Sequence, residues 1–160
     1  MSLCRCFPVV CCLAIAGCAS APKNEPDPTR QPWRDSAAAL PAAKAGDGEG
    51  LRRSFAAARA QLMLPYINGG EDAEAMVENM AAVLNSNGDE RYRQALLEEA
   101  PETRSAVREF LSEEETRGSF PMTHAVLADA PEVEWPSDLA MKKSYQESGE
   151  TLPPKSSWKK

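Results

Sequence analysis

From residue 51 the apolar positions fall into a helical rhythm. Leu51, Phe55, Ala58 and Leu62 recur at spacings of four, three and four, which places them on one face of an α-helix. Pro65 and Asn68-Gly69-Gly70 end that helix. A second helix is predicted over 71–84. It opens with Glu71, Asp72 and Glu74, where carboxylates suit the positive end of the helix dipole, and turns Ala73, Met76, Val77, Met80, Val83 and Leu84 inward. Asn85-Ser86-Asn87-Gly88 closes it, and a third helix starts near Asp89 with Tyr92, Ala95, Leu96 and Ala100 on its inner face. Pro101 sets the break before a fourth, because the residue ahead of a proline avoids helical geometry and proline itself fits the first helical position. Thr103, Val107, Phe110 and Leu111 form the last stripe, and Gly118 is its expected end. The fold class expected is mainly α: a small irregular bundle of three or four short helices, folded as antiparallel hairpins over 51–118 and flanked by disordered proline-rich segments.

The flanks read differently. Over 18–50, Pro22, Pro26, Pro28, Pro32 and Pro41 stiffen the chain and Gly46, Gly48 and Gly50 loosen its end. Such a tether extends by about 3.1 Å per residue where proline-rich. Trp33 stands alone in it as an exposed aromatic. Over 119–160, Pro121, Pro131, Pro136, Pro153 and Pro154 predict an extended, largely irregular tail. One weak helix is expected over 137–145, capped by Ser137. The tail closes on Lys155, Trp158, Lys159 and Lys160, a basic and aromatic end read as solvated. The Asn-Gly turns at Asn68 and Asn87 lie nineteen residues apart, below the period of common helical repeats.

Composition narrows the core and the partners. The chain of 160 residues is 42% hydrophobic but only 6% aromatic, and much of the apolar share is alanine. Alanine buries little surface, so the core is expected to be small. The formal charge of −6 excludes nucleic acid as the main partner, since phosphate binding needs a basic face. The middle is the acidic part: 71–117 holds 13 acidic and 5 basic residues, whereas 18–70 holds 7 basic and 5 acidic.

All five cysteines, Cys4, Cys6, Cys11, Cys12 and Cys18, lie in the first eighteen residues. Cys4-Arg5-Cys6 and Cys11-Cys12 lack zinc-knuckle spacing, and no nearby histidine completes a ligand set. The apolar run from Phe7 to Gly17 follows Arg5 and the α-amino group and is too short to span a bilayer. A positive start, an apolar stretch and small residues at its end describe a secretory signal over 1–17. Its end, Ile15-Ala16-Gly17-Cys18, resembles the lipobox of bacterial lipoproteins: a branched apolar residue, two small ones and a cysteine. The resemblance covers these four positions and the signal before them. It implies that residues 1–17 are removed and that Cys18 is acylated at sulfur and amine, anchoring the chain to a membrane. It further implies a place in the bacterial cell envelope, and, in a Gram-negative cell, an outer-membrane address facing the periplasm, because Ala19 rather than aspartate follows the cysteine. No disulfide is then available to the mature chain.

Candidate chemistry is sparse. His124, the single histidine, follows Pro121-Met122-Thr123 in a stretch read as loop and is a conceivable general base without an identified partner. Glu113-Glu114-Glu115 cannot all converge from one helix, and Asp129, Glu132 and Glu134 read as loop acids around Pro131 and Trp135. Asn85-Ser-Asn-Gly-Asp-Glu falls short of a calcium loop, with Val83 in the first ligand's place and Gln94 where the closing glutamate belongs. Gly46-Asp47-Gly48-Glu49-Gly50 has a glycine rhythm, but its two acids would repel phosphate. No catalytic set, metal site or cofactor is assigned, and lipidation at Cys18 is the one site expected. The function expected is that of a membrane-anchored, non-enzymatic adaptor whose helical body binds another envelope protein through Ala-, Met- and Leu-rich faces. The alternatives are a cell-wall-acting enzyme or its accessory, with His124 and the acids of 129–134 lining one cleft, and a structural spacer between membrane and wall.

Overall fold

A computed structural model describes residues 27–65 and 71–153 of the chain. After a 3-10 turn at Pro28–Arg30 come α1 (Gln31–Lys44), α2 (Gly48–Leu62), α3 (Glu71–Leu97), α4 (Pro101–Phe110), α5 (Glu113–Ser119), α6 (Pro121–Ala128) and α7 (Pro136–Ser148). The protein is mainly α, and the described residues hold no strand. The helices outnumber the three or four expected.

The largest departure is α1. Residues 31–44 were expected to belong to the 18–50 tether, yet they form a helix whose Pro32, Ser36, Ala39 and Ala43 are buried. The prolines misled for physical reasons. Pro32 sits in the first turn, where a backbone N–H has no helical partner to lose. Pro41 lies inside the helix but is exposed, so its ring points to solvent and the alanines around it keep the helix going. The 119–160 segment departs in part. Pro121 stands in the first turn of a helix, α6, where irregular chain was expected. The helix expected over 137–145 is present as α7, but it starts at Pro136 and its N-cap is Trp135 rather than Ser137, because proline takes the first helical position.

The turn from α1 to α2 is set by its sequence. Gly46 has φ of 75°, its N–H donates to Ala43 O at 3.0 Å, and Asp47 N donates to Ala42 O at 3.0 Å. These two bonds satisfy carbonyls that the end of α1 would otherwise leave bare, and the left-handed residue they require is a glycine. Asp47 then caps α2, its side chain accepting from Gly50 N at 2.7 Å. The helices therefore return antiparallel, with buried Gly50, Ser54, Ala57, Ala58 and Gln61 on α2 opposite the small residues of α1.

Gly50 is where the two backbones come closest. A Cβ added there would lie 2.6 Å from Ala43 N and 2.7 Å from Ala42 C, whereas one added at Gly48 meets nothing within 4 Å. Both are helical, so alanine at either gains up to about 1 kcal/mol of helix propensity. At Gly50 the clash with unyielding backbone outweighs it, at roughly 1–3 kcal/mol. Gly50→Ala is expected to lower the unfolding temperature and Gly48→Ala to leave it unchanged or raise it. Thermal unfolding of the pair checks this, and equal effects would contradict the close approach.

α3 lies along α1. Asp72 pairs with Arg30 at 2.8 Å, Asn79 Nδ2 donates to Ser36 Oγ at 3.2 Å, Asn87 Nδ2 donates to Ala43 O at 2.8 Å, and Arg91 donates to Gly46 O at 2.5 Å. These partners advance together along both helices, so α1 and this part of α3 run side by side in one direction, with α2 opposed. The expected boundary between helices at 85–88 is a kink within α3. Gly88 adopts φ 72° and ψ 172°, a region that residues with a Cβ avoid. The chain thereby redirects and brings Tyr92 and Leu96 into the same core as Met76, Met80, Val83 and Leu84.

The expected stripes hold except at Val77, which is 44% exposed rather than inward, and at Ala100, which lies past the end of α3 as the exposed, extended residue before Pro101. Helix α4 starts at Pro101 as expected. It ends at Phe110, and Ser112 caps a separate α5 by accepting from Glu115 N at 3.4 Å. Phe55 and Tyr92 meet edge to face at the centre, with centroids 5.2 Å apart and planes at 81°.

Candidate functional site

The one site expected from the sequence, Cys18, lies outside the described residues, as do the signal over 1–17 and the basic end at Lys155–Lys160. The described body begins at Asp27. Cys18 and Asp27 are nine residues apart, which even a fully extended chain spans in only about 30 Å. A folded 31–44 segment thus replaces most of the reach expected of a tether running to residue 50.

His124 occupies the first turn of α6, not a loop. Its Nδ1 lies 3.3 Å from Thr116 Oγ1, and Thr116 in turn donates to Ser112 O at 2.9 Å. Thr116 Oγ1 also lies 3.2 Å from Glu113 O, so its hydroxyl sits among the carbonyls at the start of α5 and the imidazole. Thr116 is buried at 2% exposure. The contact ties α5 to α6, and among the described residues no carboxylate is hydrogen-bonded to the ring.

The acids once considered with His124 go elsewhere. Glu132 pairs with Arg108 at 3.2 Å and is 89% exposed, and Glu134 pairs with Lys142. Asp129 is an exposed residue at the end of α6. Arg108 also donates to Ala130 O at 2.8 Å and Pro131 O at 3.1 Å, and Ser105 Oγ donates to Pro131 O at 2.6 Å. These bonds clip the 130–132 loop onto α4. Glu113 pairs with Arg117 along α5 and, with Glu114 and Gly118, lines only a shallow surface depression. Among the described residues, no group of three or more His, Cys, Asp or Glu is placed to hold a metal ion.

Asp89 has a role that the sequence reading missed. Helix α6 begins at Phe120 without a side-chain cap of its own. The Asp89 carboxylate, delivered by the Gly88 kink, accepts from Met122 N at 2.9 Å and Thr123 N at 2.7 Å. One side chain thus does for a distant helix what a local cap usually does. Burial raises the Asp89 pKa, but the N–H groups of Met122 and Thr123, the Thr123 side chain and Arg93 outweigh it and hold the carboxyl below its ordinary value. A depressed folded pKa contributes stability above the unfolded value of about 3.9, and that contribution is lost as pH falls through the folded value. Asp89→Ala is expected to cost about 1–2 kcal/mol near neutral pH. The gap from the native protein should narrow on acidification below the ordinary aspartate range. Denaturant unfolding at neutral and acidic pH checks both, and a gap that widened in acid would contradict the assignment.

The exposed large apolar residues are spread over the surface: Met63 at the end of α2, Val77 and Leu97 on α3, Met122 on α6 and Leu139 on α7, each 40–52% exposed. Among the described residues no helix is long and apolar enough to cross a membrane. Comparison with protein-family models, curated proteins and solved structures finds no match.

Proposed function

We propose that this protein is a lipid-anchored component of the bacterial cell envelope that works as a non-enzymatic adaptor, its helical body held close to the membrane by acylated Cys18. The observation that carries the reading is Ile15-Ala16-Gly17-Cys18 at the end of an eleven-residue apolar run behind Arg5. Support for the adaptor role comes from how the candidate catalytic groups are spent. His124 is joined to Thr116, Glu132 to Arg108 and Glu134 to Lys142. Each contact fastens one element to another.

Membrane attachment in this reading falls to the lipid, and the body adds a small helical platform for an envelope protein. Outer-membrane placement follows from Ala19 if the cell is Gram-negative. The test pairs crosslinking in the native host with His124→Ala. The adaptor reading expects a reproducible envelope partner that is still captured by the variant, whose cellular phenotype matches the native protein's. Loss of function in a His124→Ala protein that remains folded and still captures the partner would favour the cell-wall enzyme instead.

A further inference from the structure

We infer that the end of the bundle carrying Trp33, Met63 and Leu64 rests against the phospholipid interface. The inference builds on the lipid anchor at Cys18 and adds an orientation to it. Three observations carry it. First, the chain enters the body at this end. Asp27 leads directly into α1, and the ion pair of Arg30 with Asp72 brings the start of α3 to the same place. Because α2 runs antiparallel to α1, Met63 and Leu64, the two residues just past its end, also lie there.

Second, the connection is short. Nine residues from Cys18 to Asp27 reach at most about 30 Å, whatever their conformation. This end is therefore held beside the bilayer at high effective concentration, where weak contacts suffice to orient it. Third, the chemistry suits an interface. Met63 is 52% exposed, the highest among the large apolar residues described, and Leu64 is half-buried beside it in the chain. Trp33 is half-buried, with the Arg30 guanidinium 5.2 Å from its ring centroid. A partly exposed indole, apolar in body with a polar N–H, suits the headgroup level.

The charge at this end selects the kind of surface. Arg34 and Arg59 are offset by Asp27, Glu71 and Glu74, while Arg30 and Asp72 neutralise each other. An anionic membrane gains nothing here, so the fit is to a zwitterionic phospholipid surface through aromatic and apolar contact, with little dependence on salt.

Met122 supplies the internal control. Its N–H bonds to Asp89, seventeen residues along α3 from Asp72, which puts it about 25 Å farther from the anchored end. The mature acylated protein, labelled with a nitroxide through Met63→Cys or Met122→Cys, is placed on phosphatidylcholine vesicles. Access of a water-soluble relaxation agent is compared with that in an unlipidated chain beginning at Ala19. The expected result is a severalfold loss of access at position 63 on the vesicles alone, little change at 122, and no reversal in high salt. Equal access at the two positions in acylated protein overturns the orientation and leaves the anchor standing. Protection at 63 in the unlipidated chain overturns it in favour of a second copy covering that end. A mature protein whose mass spectrum carries no acyl group overturns the anchor and the orientation together.

Discussion

Truncating Phe55 to alanine is expected to destabilise the body by about 3–5 kcal/mol, enough to remove much of the folding free energy of a domain this size. Phe55 has no exposed surface and sits where α2 meets the kinked half of α3, its ring set edge-on against Tyr92. Burial of the aromatic surface supplies most of the loss, and the edge-to-face pair adds about 0.5–1.5 kcal/mol. The site cannot collapse to fill the space. Phe55 shares its cluster with Met76, Met80 and Leu96, residues that are themselves fully buried. Tyr92 would lose a packing partner while its hydroxyl keeps only the Met80 sulfur, at 3.9 Å. Denaturant unfolding followed by circular dichroism measures the effect. Phe55→Leu should cost less, since it keeps most of the volume. A loss below about 1 kcal/mol for Phe55→Ala would place the core elsewhere.

Replacing Cys18 by serine is expected to abolish anchoring altogether while leaving the body folded. In the proposed reading the Cys18 thiol takes the diacylglycerol, and serine offers no equivalent nucleophile. At about 0.8 kcal/mol per buried methylene, the acyl chains outweigh any contact the body itself makes with lipid. The variant should accumulate as a precursor retaining residues 1–17, fail to incorporate labelled fatty acid, and give the native circular dichroism spectrum once the leader is cut away. Normal fatty-acid incorporation by the variant would place the lipid on another residue.

The stripes at Leu51, Phe55 and Ala58, at Met76, Met80 and Val83, and at Val107 and Phe110 were legible because each combines a helical period with residues large enough to need burial. The break at Pro101 was legible from backbone sterics alone. Helix α1 was not: its inner face is Ser36, Ala39 and Ala43, small residues that give no apolar stripe, and its two prolines read as breakers. What makes α1 part of the body is close approach, which Gly50 permits and no period reveals. The caps were hidden for a similar reason. Asp89 and Asn87 sit in a turn-like Asn-Ser-Asn-Gly-Asp stretch, but the groups they satisfy, Thr123 N and Ala43 O, lie more than thirty residues away in the chain. His124 shows the converse. Its single occurrence invites a catalytic reading, and its contact with Thr116 depends on the α5–α6 turn, which the apolar pattern did not mark.

In the proposed function a lipid on Cys18 holds the chain to its membrane. Intact-mass analysis of the amino-terminal peptide, from protein isolated out of its host's membranes, decides whether it is there. The expected peptide begins at Cys18 and is heavier than its sequence by a diacylglycerol and an amide-linked acyl chain, or by the diacylglycerol alone. A peptide that begins at Met1, or one that begins at Cys18 with thiol and amine both free, would contradict it.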